Sequence, residues 1–577
     1  MIMKKIALLL FTFVVGLTFL LTGCGEDDNV GKVAETTFPP GVFVQNPNLK
    51  VIDANTSKYK FDPPVTVTVI RFYGPQVKFQ AGENIDNNVW TRAYESECGI
   101  KLKSLFSVND FSQYDLKVTT SIATDSLPDI IPVWSTLFFR IVDSGRAMDL
   151  KPYYDKYLRQ NLKDLMEKDA GGLAYKTCFR KGILAAIAPS TGQSAGMQWI
   201  RQDWLEKLKL QPPKSINDTL NIANKFCEKN LGASFGASAC YAFPITAKFD
   251  DIKGYANAFG AYKSMWIDDG NGGLMRSDIS EKWKPALQIL ADLFAAEKLN
   301  PDFSLQNGTD IDAAMSREQY GIYFGDATAP DGTLYNSVQR DNNAVWQQYP
   351  IYDTSGNPAL VQVETRIQGF NCVNKNSKNP EALMLIANIY QDLMQGVGIS
   401  YRKYHDFVGS DNNNYDSFFY PFMGMLYPRV NNAEVIAKAK KTGDKSKLTG
   451  EQLGVIDKMN KWVNNKDVYG WRLWAIDKPG GSYETNNFIR KNMWVYPDRG
   501  WGPETATWIS KGPDLYNISN QYFTKIVRGD LALEQGFTEW VNYFNSNGGL
   551  DCTNEINDWW KNGGGKDAFD NIKVQIN

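Results

Sequence analysis

The chain has 577 residues, too long for a single hydrophobic core, since one core stops growing near about 250–300 residues; two large lobes, or lobes with insertions, are expected. Its 62 Lys and Arg stand against 64 Asp and Glu, a net charge of -2, with 43% hydrophobic and 22% charged residues. That composition is globular rather than disordered, and without a basic stripe to release counterions it argues against a nucleic-acid partner.

One histidine, His405, is present, so a His-based triad would have to be built on that residue alone. It also excludes a His–Cys zinc cluster. The chain opens on Lys4 and Lys5, followed by an uncharged run from Ile6 to Leu21 that ends in Leu21-Thr22-Gly23-Cys24. Basic, apolar and small residues in that order are the layout of a secretory signal peptide. The run is shorter than the roughly 20 apolar residues that span a bilayer, which disfavours the alternative of a retained transmembrane anchor. Leu21–Cys24 resembles the bacterial lipobox, in which the Cys24 thiol receives a diacylglyceryl group and the chain is cut just before it. Residues 1–23 then form the signal peptide, and losing them removes Lys4 and Lys5 but no acid. Residues 24–60, rich in Gly, Asp, Asn, Thr and Pro, read as a lipid-anchored tether and extended lead-in.

Order is predicted to start at VTVTVI, residues 65–70, a β-branched run bounded by Pro64 and an RFYGP turn. A helix near 88–97, a strand at 99–106, a helix at 112–123 and a strand starting at Pro128-Asp129-Ile130-Ile131 follow. This alternation predicts a parallel α/β sheet. MQWIRQDWLEKLKL, 197–210, reads as a strand running into a helix, with Asp203 a candidate cap. Pro212-Pro213 makes a turn, and Ser215 and its neighbours cap a helix near 217–229. Residues 280–299 carry Leu287, Leu290, Leu293 and Phe294 at helical spacing. QYGIYFG, 319–325, is a short strand, and PEALMLIANIYQDLMQ, 380–395, is a helix with proline at its start. Residues 400–520 are rich in Asn, Gly, Trp and Tyr; a Lys-rich helix at 434–445 is the clear element there. Cysteines at 98, 178, 227, 240, 372 and 552 form no CxxC, and their spacing assigns no pairs, so free thiols are as well supported as disulfides. The 16 Trp, 28 Tyr and 31 Phe mostly fill cores, yet some are expected to line a cleft, where flat rings suit the C–H faces of sugars.

The order of these segments carries a resemblance. The lipobox, VTVTVIRFYG, NNVWTRAYESECGIKL, SLPDIIPVW, IRQDWLEKLKLQPPKSINDT, ILADLFAAEKLNPDFS, QYGIYFG and NPEALMLIANIY follow one another, with a weaker tail match at 522–549. Together they resemble the family 1 extracellular solute-binding proteins, receptor lipoproteins of ABC sugar importers, and within them the large LipO-like subgroup. The resemblance implies an α/β chain in a two-lobed type II periplasmic-binding-protein-like fold, with a hinge and extra C-terminal helices. Lobe one would span 61–189 with a return segment near 366–400, and lobe two 190–365. Residues 401–577 would contribute to both lobes and the cleft. The implied function is a monomeric receptor, lipid-anchored on the extracellular face of the bacterial cell membrane, that delivers an oligosaccharide to ABC permease subunits without a cofactor. The alternatives are an anchored glycoside hydrolase, whose two carboxylates about 5–9.5 Å apart no spacing here singles out, and a surface glycan-binding adhesin. Related alginate-type receptors hold calcium in an acidic loop. The nearest imitation, Asp268-Asp269-Gly270-Asn271-Gly272-Gly273, misses the required spacing and reads as a hairpin turn, so no metal is expected.

Ligands of open α/β sheets bind at the carboxyl ends of strands. Candidate ligand-binding residues are therefore Phe72, Tyr73 and Gln76 after the first strand and Trp134 after the third, with core packing as the alternative for Trp134. Asp129, at the start of that strand, is read as structural. In lobe two the resemblance points to the loops Lys248-Phe249-Asp250 and Gly325-Asp326, where Asp326 either accepts sugar hydroxyls or caps a turn. Arg201 marks the family and holds a helix start, with the cleft as its second assignment. Trp494, Trp501 and Trp508 lie in a stretch that would cover the cleft for a longer glycan. No catalytic residue is assigned.

Overall fold

A computed structural model describes residues 46–570, apart from 73–78, 80, 109–110, 169–171, 189–193, 366, 368, 397–403, 405–431, 503, 563–564 and 567–568. Cys24, Tyr73, Gln76 and His405 lie outside the described residues.

Order begins earlier than the sequence pattern implies. β1 (Leu49–Asp53) and β2 (Lys58–Phe61) form an antiparallel hairpin inside the stretch read as tether. Leu49 and Phe61 fasten it by burying into the first core, an anchoring that two isolated apolar residues do not reveal in sequence. β3 (Val65–Phe72) is β-branched from Val65 to Ile70, which suits a pleated strand inside a sheet. β4 (Ile100–Val108) and β5 (Ile130–Trp134) flank it in parallel. The helix Val89–Cys98 makes the first crossover: the Asn88 side chain accepts from the amides of Trp90 and Thr91, and Gly99 ends it at φ 68. Glycine is required there, because a Cβ would stand 2.2 Å from the Phe61 carbonyl oxygen.

After the short strands β6 (Phe179–Arg180), β7 (Ile183–Leu184) and β8 (Ala186–Ile187), the chain enters the second lobe. β9 (Met197–Arg201) is buried throughout, and the Ser215 hydroxyl caps the helix Ile216–Lys229 by accepting from the Asp218 amide at 3.1 Å. β10 (Trp266–Asp268) and β11 (Leu274–Arg276) form a hairpin whose turn is the acidic Asp269–Gly273 stretch. β12 (Ile322–Gly325) and β13 (Trp346–Tyr349) pair antiparallel on either side of β9. β14 (Val361–Val363) is the last strand before the chain crosses back. β15 (Gly369–Val373) then re-enters the first sheet, antiparallel to β5 and β8, giving the order β4-β3-β5-β15-β8. The parallel arrangement expected from sequence thus holds for β3, β4 and β5. β15 runs the other way because it arrives from the second lobe rather than through a βαβ crossover. β16 (Val495–Pro497) pairs in parallel with β14.

The two larger cores among the described residues follow this path. One draws on Leu49–Ala188, except Leu173, and on Ile367–Tyr404; the other on Leu173, Ala195–Val363 and Trp462–Phe569. The molecule is two-lobed, and Trp471, Phe523, Trp540 and Trp560 of the C-terminal helices complete the second core. The six described cysteines are free thiols.

Candidate ligand-binding crevice

Two adjoining cavities, of about 540 Å³ and about 360 Å³, share Lys253 and Glu364. The larger is bounded by the second lobe, with Asp250, Asp251, Asp326, Thr328 and Gln362 on its wall. The smaller lies between lobes: Trp134 and Ser135 come from the first, and Lys263, Ser264, Met265 and Asp498 from the second.

Local structure positions each group. Trp134 is the last residue of β5, paired with Gly369, and Ser135 starts the next helix, so the ring stands at the carboxyl end of a strand. It is half-buried against the first core. Glu364 directly follows β14, where the buried run Val361–Val363 gives way to the crossing between lobes, and it is exposed. Lys253 opens the helix Lys253–Asn257 after the turn Asp250–Ile252. Its Nζ lies 3.4 Å from Asp250 Oδ1 and 3.4 Å from Glu364 Oε1. Burial works to lower the Lys253 pKa, but those two carboxylates outweigh it and hold the ammonium above its ordinary value.

The wall behind is rigidly hydrogen-bonded. Tyr516, from the helix Ala506–Arg528, donates to Asp250 Oδ2 at 2.7 Å. Burial pushes the neighbouring Asp251 carboxyl above the usual range; the Thr246 hydroxyl opposes this and the Asp250 charge adds to it. Asp326 follows β12, and its Oδ1 accepts from the Thr328 amide and hydroxyl, each at 2.7 Å. Asp498 accepts from the amides of Trp266 at 3.0 Å and Gly500 at 2.8 Å. Lys263 is buried, with its Nζ 3.0 Å from Asp278 Oδ1 and 4.5 Å from the Tyr516 ring centre, while Arg276 holds the other Asp278 oxygen at 2.8 Å. Facing an aromatic ring, this set of carboxylates, hydroxyls and one part-exposed ammonium can hold a ligand that carries both hydroxyls and an apolar face.

Of the residues singled out from sequence, Trp134, Asp250, Gly325 and Asp326 border the adjoining cavities. Phe72 ends β3 and meets Tyr114 edge-on, ring centres 6.4 Å apart. Arg201 does not reach the crevice. It is 1% exposed, ion-paired with Glu318 and with Asp203, and stacked 4.7 Å from the Trp204 ring centre. Asp203 does not cap either: it sits in the first helical turn and grips Arg201 at 2.6 Å. Phe249 is second-core packing, edge-on to Phe303 and Phe523, while exposed Lys248 borders neither cavity.

The three tryptophans of 494–508 also pack inward. Trp494 lies against Phe488, Trp501 is buried against Trp559, and Trp508 sits against Trp266 with the Arg276 guanidinium 4.3 Å from its ring. Gly500 and Gly502 allow this, since a Cβ at either would strike Trp266 or Trp559 at 2.3 Å and 2.2 Å. What this segment brings to the crevice is Asp498. Sequence reasoning missed Lys253, Lys263, Glu364 and Asp498. Glu364 had a readable signal, a charged residue directly after a buried β-run, as with Asp326 after β12. The Asp269–Gly273 turn uses its one acid on its own backbone: Asp269 Oδ1 accepts from Asn271 and Gly273 amides at 2.7 Å and 2.9 Å. Among the described residues no group of acids, His and Cys is arranged to hold a metal.

The architecture is that of a two-lobed binding protein with its crevice at the strand ends. Residues 79–390 match the family model described as bacterial extracellular solute-binding protein, more than half of the chain, and the chain belongs to that family. The polygalacturonan/rhamnogalacturonan-binding protein YtcQ of Bacillus subtilis is 26% identical over 214 residues, 36% of this chain and 41% of that protein. The match therefore spans about two-fifths of that relative's length. An extracellular solute-binding protein from Bifidobacterium longum subsp. infantis superposes with a TM-score of 0.58 at 13% identity, over 89% of this chain and 99% of that one. The alginate-binding protein AlgQ2 without calcium ion gives 0.57 at 14% identity, over 86% and 98%. At these identities the solved structures establish the fold, a type II periplasmic-binding-protein-like one.

Proposed function

We propose that the chain is a lipid-anchored receptor that binds an oligosaccharide in the inter-lobe crevice and delivers it to an ABC importer, leaving the sugar intact. One observation carries the reading: the Trp134 ring on one lobe borders the same crevice as Lys253, Glu364 and Asp326 on the other. A sugar needs that pairing, a flat apolar surface for its C–H face and polar groups for its hydroxyls. The polysaccharide named for the Bacillus relative supports carbohydrate as the ligand class. Trp134 is assigned to stacking, Asp326, Asp250 and Glu364 to accepting hydroxyl protons, and Lys253 to donating. The two passages of the chain between lobes, from β8 to β9 and from β14 to β15, serve as hinge, so that closure tightens both lobes on one ligand. Lys4, Lys5, the uncharged run and Leu21-Thr22-Gly23-Cys24 support anchoring through Cys24 on the outer face of the cell membrane. Permease subunits are the partners, and the receptor acts as a monomer.

Calorimetry of the purified protein against plant and microbial oligosaccharides, with chromatography of the recovered sugar, tests this. Saturable binding of at least one sugar, recovered whole, is the expected result. Shortened sugar accumulating at a steady rate would establish a hydrolase instead.

A further inference from the structure

We infer that the crevice is selective for an uncharged sugar and rejects one that carries carboxylates. The inference rests on the carbohydrate reading above and adds the charge of the ligand to it. Asp250, Asp251, Asp326, Glu364 and Asp498 line the two cavities, and the cations among the described lining residues are Lys253 and Lys263. Both ammonium groups are already engaged. Lys263 is 1% exposed and lies 3.0 Å from Asp278. Lys253 stands 3.4 Å from each of Asp250 and Glu364, so a carboxylate approaching it meets two like charges at the same place. Asp326, Asp250 and Asp498 are each held in position by a donor from the protein, Thr328, Tyr516 and Gly500 respectively. They cannot simply turn away from an incoming anion.

A sugar hydroxyl donates a hydrogen bond to such oxygens. A uronate carboxylate at neutral pH accepts only, and so replaces a hydrogen bond with a repulsion. The repulsion is strengthened where lobes exclude water, because charges there are screened less than at an open surface. Discrimination of this kind works by an unfavourable contact with the wrong ligand as much as by a good one with the right ligand. The polyuronate named for the Bacillus relative makes the charge of the ligand the property to test.

The test is calorimetry at low ionic strength with three trimer classes: galacturonide as the free acid, the same galacturonide as its methyl ester, and neutral hexose or pentose trimers. The tightest uncharged trimer should bind at least roughly tenfold more tightly than the free acid, a ratio equal to about 1.4 kcal/mol. In the double variant Asp326→Asn, Glu364→Gln, which keeps acceptor oxygens but removes two charges, the gap should narrow. Free acid binding as tightly as the best uncharged trimer overturns the inference and leaves the carbohydrate reading standing. A gap unchanged in a double variant of normal melting temperature also overturns it, by placing the discrimination elsewhere. Binding of no sugar at all overturns the carbohydrate reading, and this inference falls with it.

Discussion

Trp134 and Gly369 face each other across the pairing of β5 with β15, so the ring at the crevice is tied to the strand by which the chain re-enters the first lobe. The proposed ligand contact and the lobe crossing therefore meet in adjacent strands. Replacing the ring removes a large apolar surface from the ligand's side while its half-buried position spares most of the core. Trp134→Ala should lower sugar affinity by about 1–3 kcal/mol, with a smaller change in melting temperature. Affinity and melting temperature measured on the same variant decide it: lost stability with unchanged affinity would assign Trp134 to packing alone.

Arg201 and Glu318 make the opposite case. Both are almost completely buried, and the pair lies in the second lobe away from both cavities. Glu318→Gln removes one counter-charge from a buried guanidinium that keeps Asp203 at 2.6 Å, so it should destabilise folding by about 1–3 kcal/mol. Sugar affinity of the folded fraction should stay within about twofold. Denaturant unfolding and calorimetry read the two separately.

The Asp278 carboxylate, fully enclosed with Lys263 and Arg276, gives a pH prediction. Burial alone would raise its pKa, but the two cations outweigh that and hold it below the ordinary value of 3.8. Its folded pKa is depressed, so its contribution to stability is complete above 3.8 and is lost as pH falls through the lower folded value. Asp278→Asn should therefore lower the melting temperature at pH 7 and flatten its dependence on pH below about 4. A wild-type melting temperature equally flat in that range would show that the triad contributes no such linkage.

Replacement of Cys24 by alanine removes the thiol on which the proposed lipidation depends. The variant should appear in the culture medium or remain unprocessed at a higher mass. Unchanged membrane retention together with an unchanged mature N-terminus would end the lipoprotein reading.

What the sequence revealed follows the reach of local rules. The β-branched run 65–70, the capped helix after Asn88 and the Leu stripe of 280–299 each state their structure within a dozen residues, and each is found as an element. Trp134 and Asp326 were visible as crevice candidates because each stands at a strand's carboxyl end, Trp134 as the last residue of β5 and Asp326 directly after β12. Phe249 and Trp501 misled because a side chain's loop position says nothing of which way the loop folds. Here both turn into the second core. Lys253 was hidden for a related reason: its meaning comes from Glu364, more than a hundred residues later, and no local pattern joins the two. The hairpin of β1 and β2 escaped notice because its order depends on the first lobe's core, not on its own composition.

The proposed binding mode puts a sugar in the crevice between Trp134 and the wall carrying Lys253 and Asp326. A crystal structure of the mature protein grown with its tightest-binding oligosaccharide measures this most directly. Sugar density is expected against the Trp134 ring, with hydroxyls within hydrogen-bond distance of Asp326 or the Lys253–Glu364 pair. Sugar density on the outer face of either lobe, with the crevice holding only water, would contradict it.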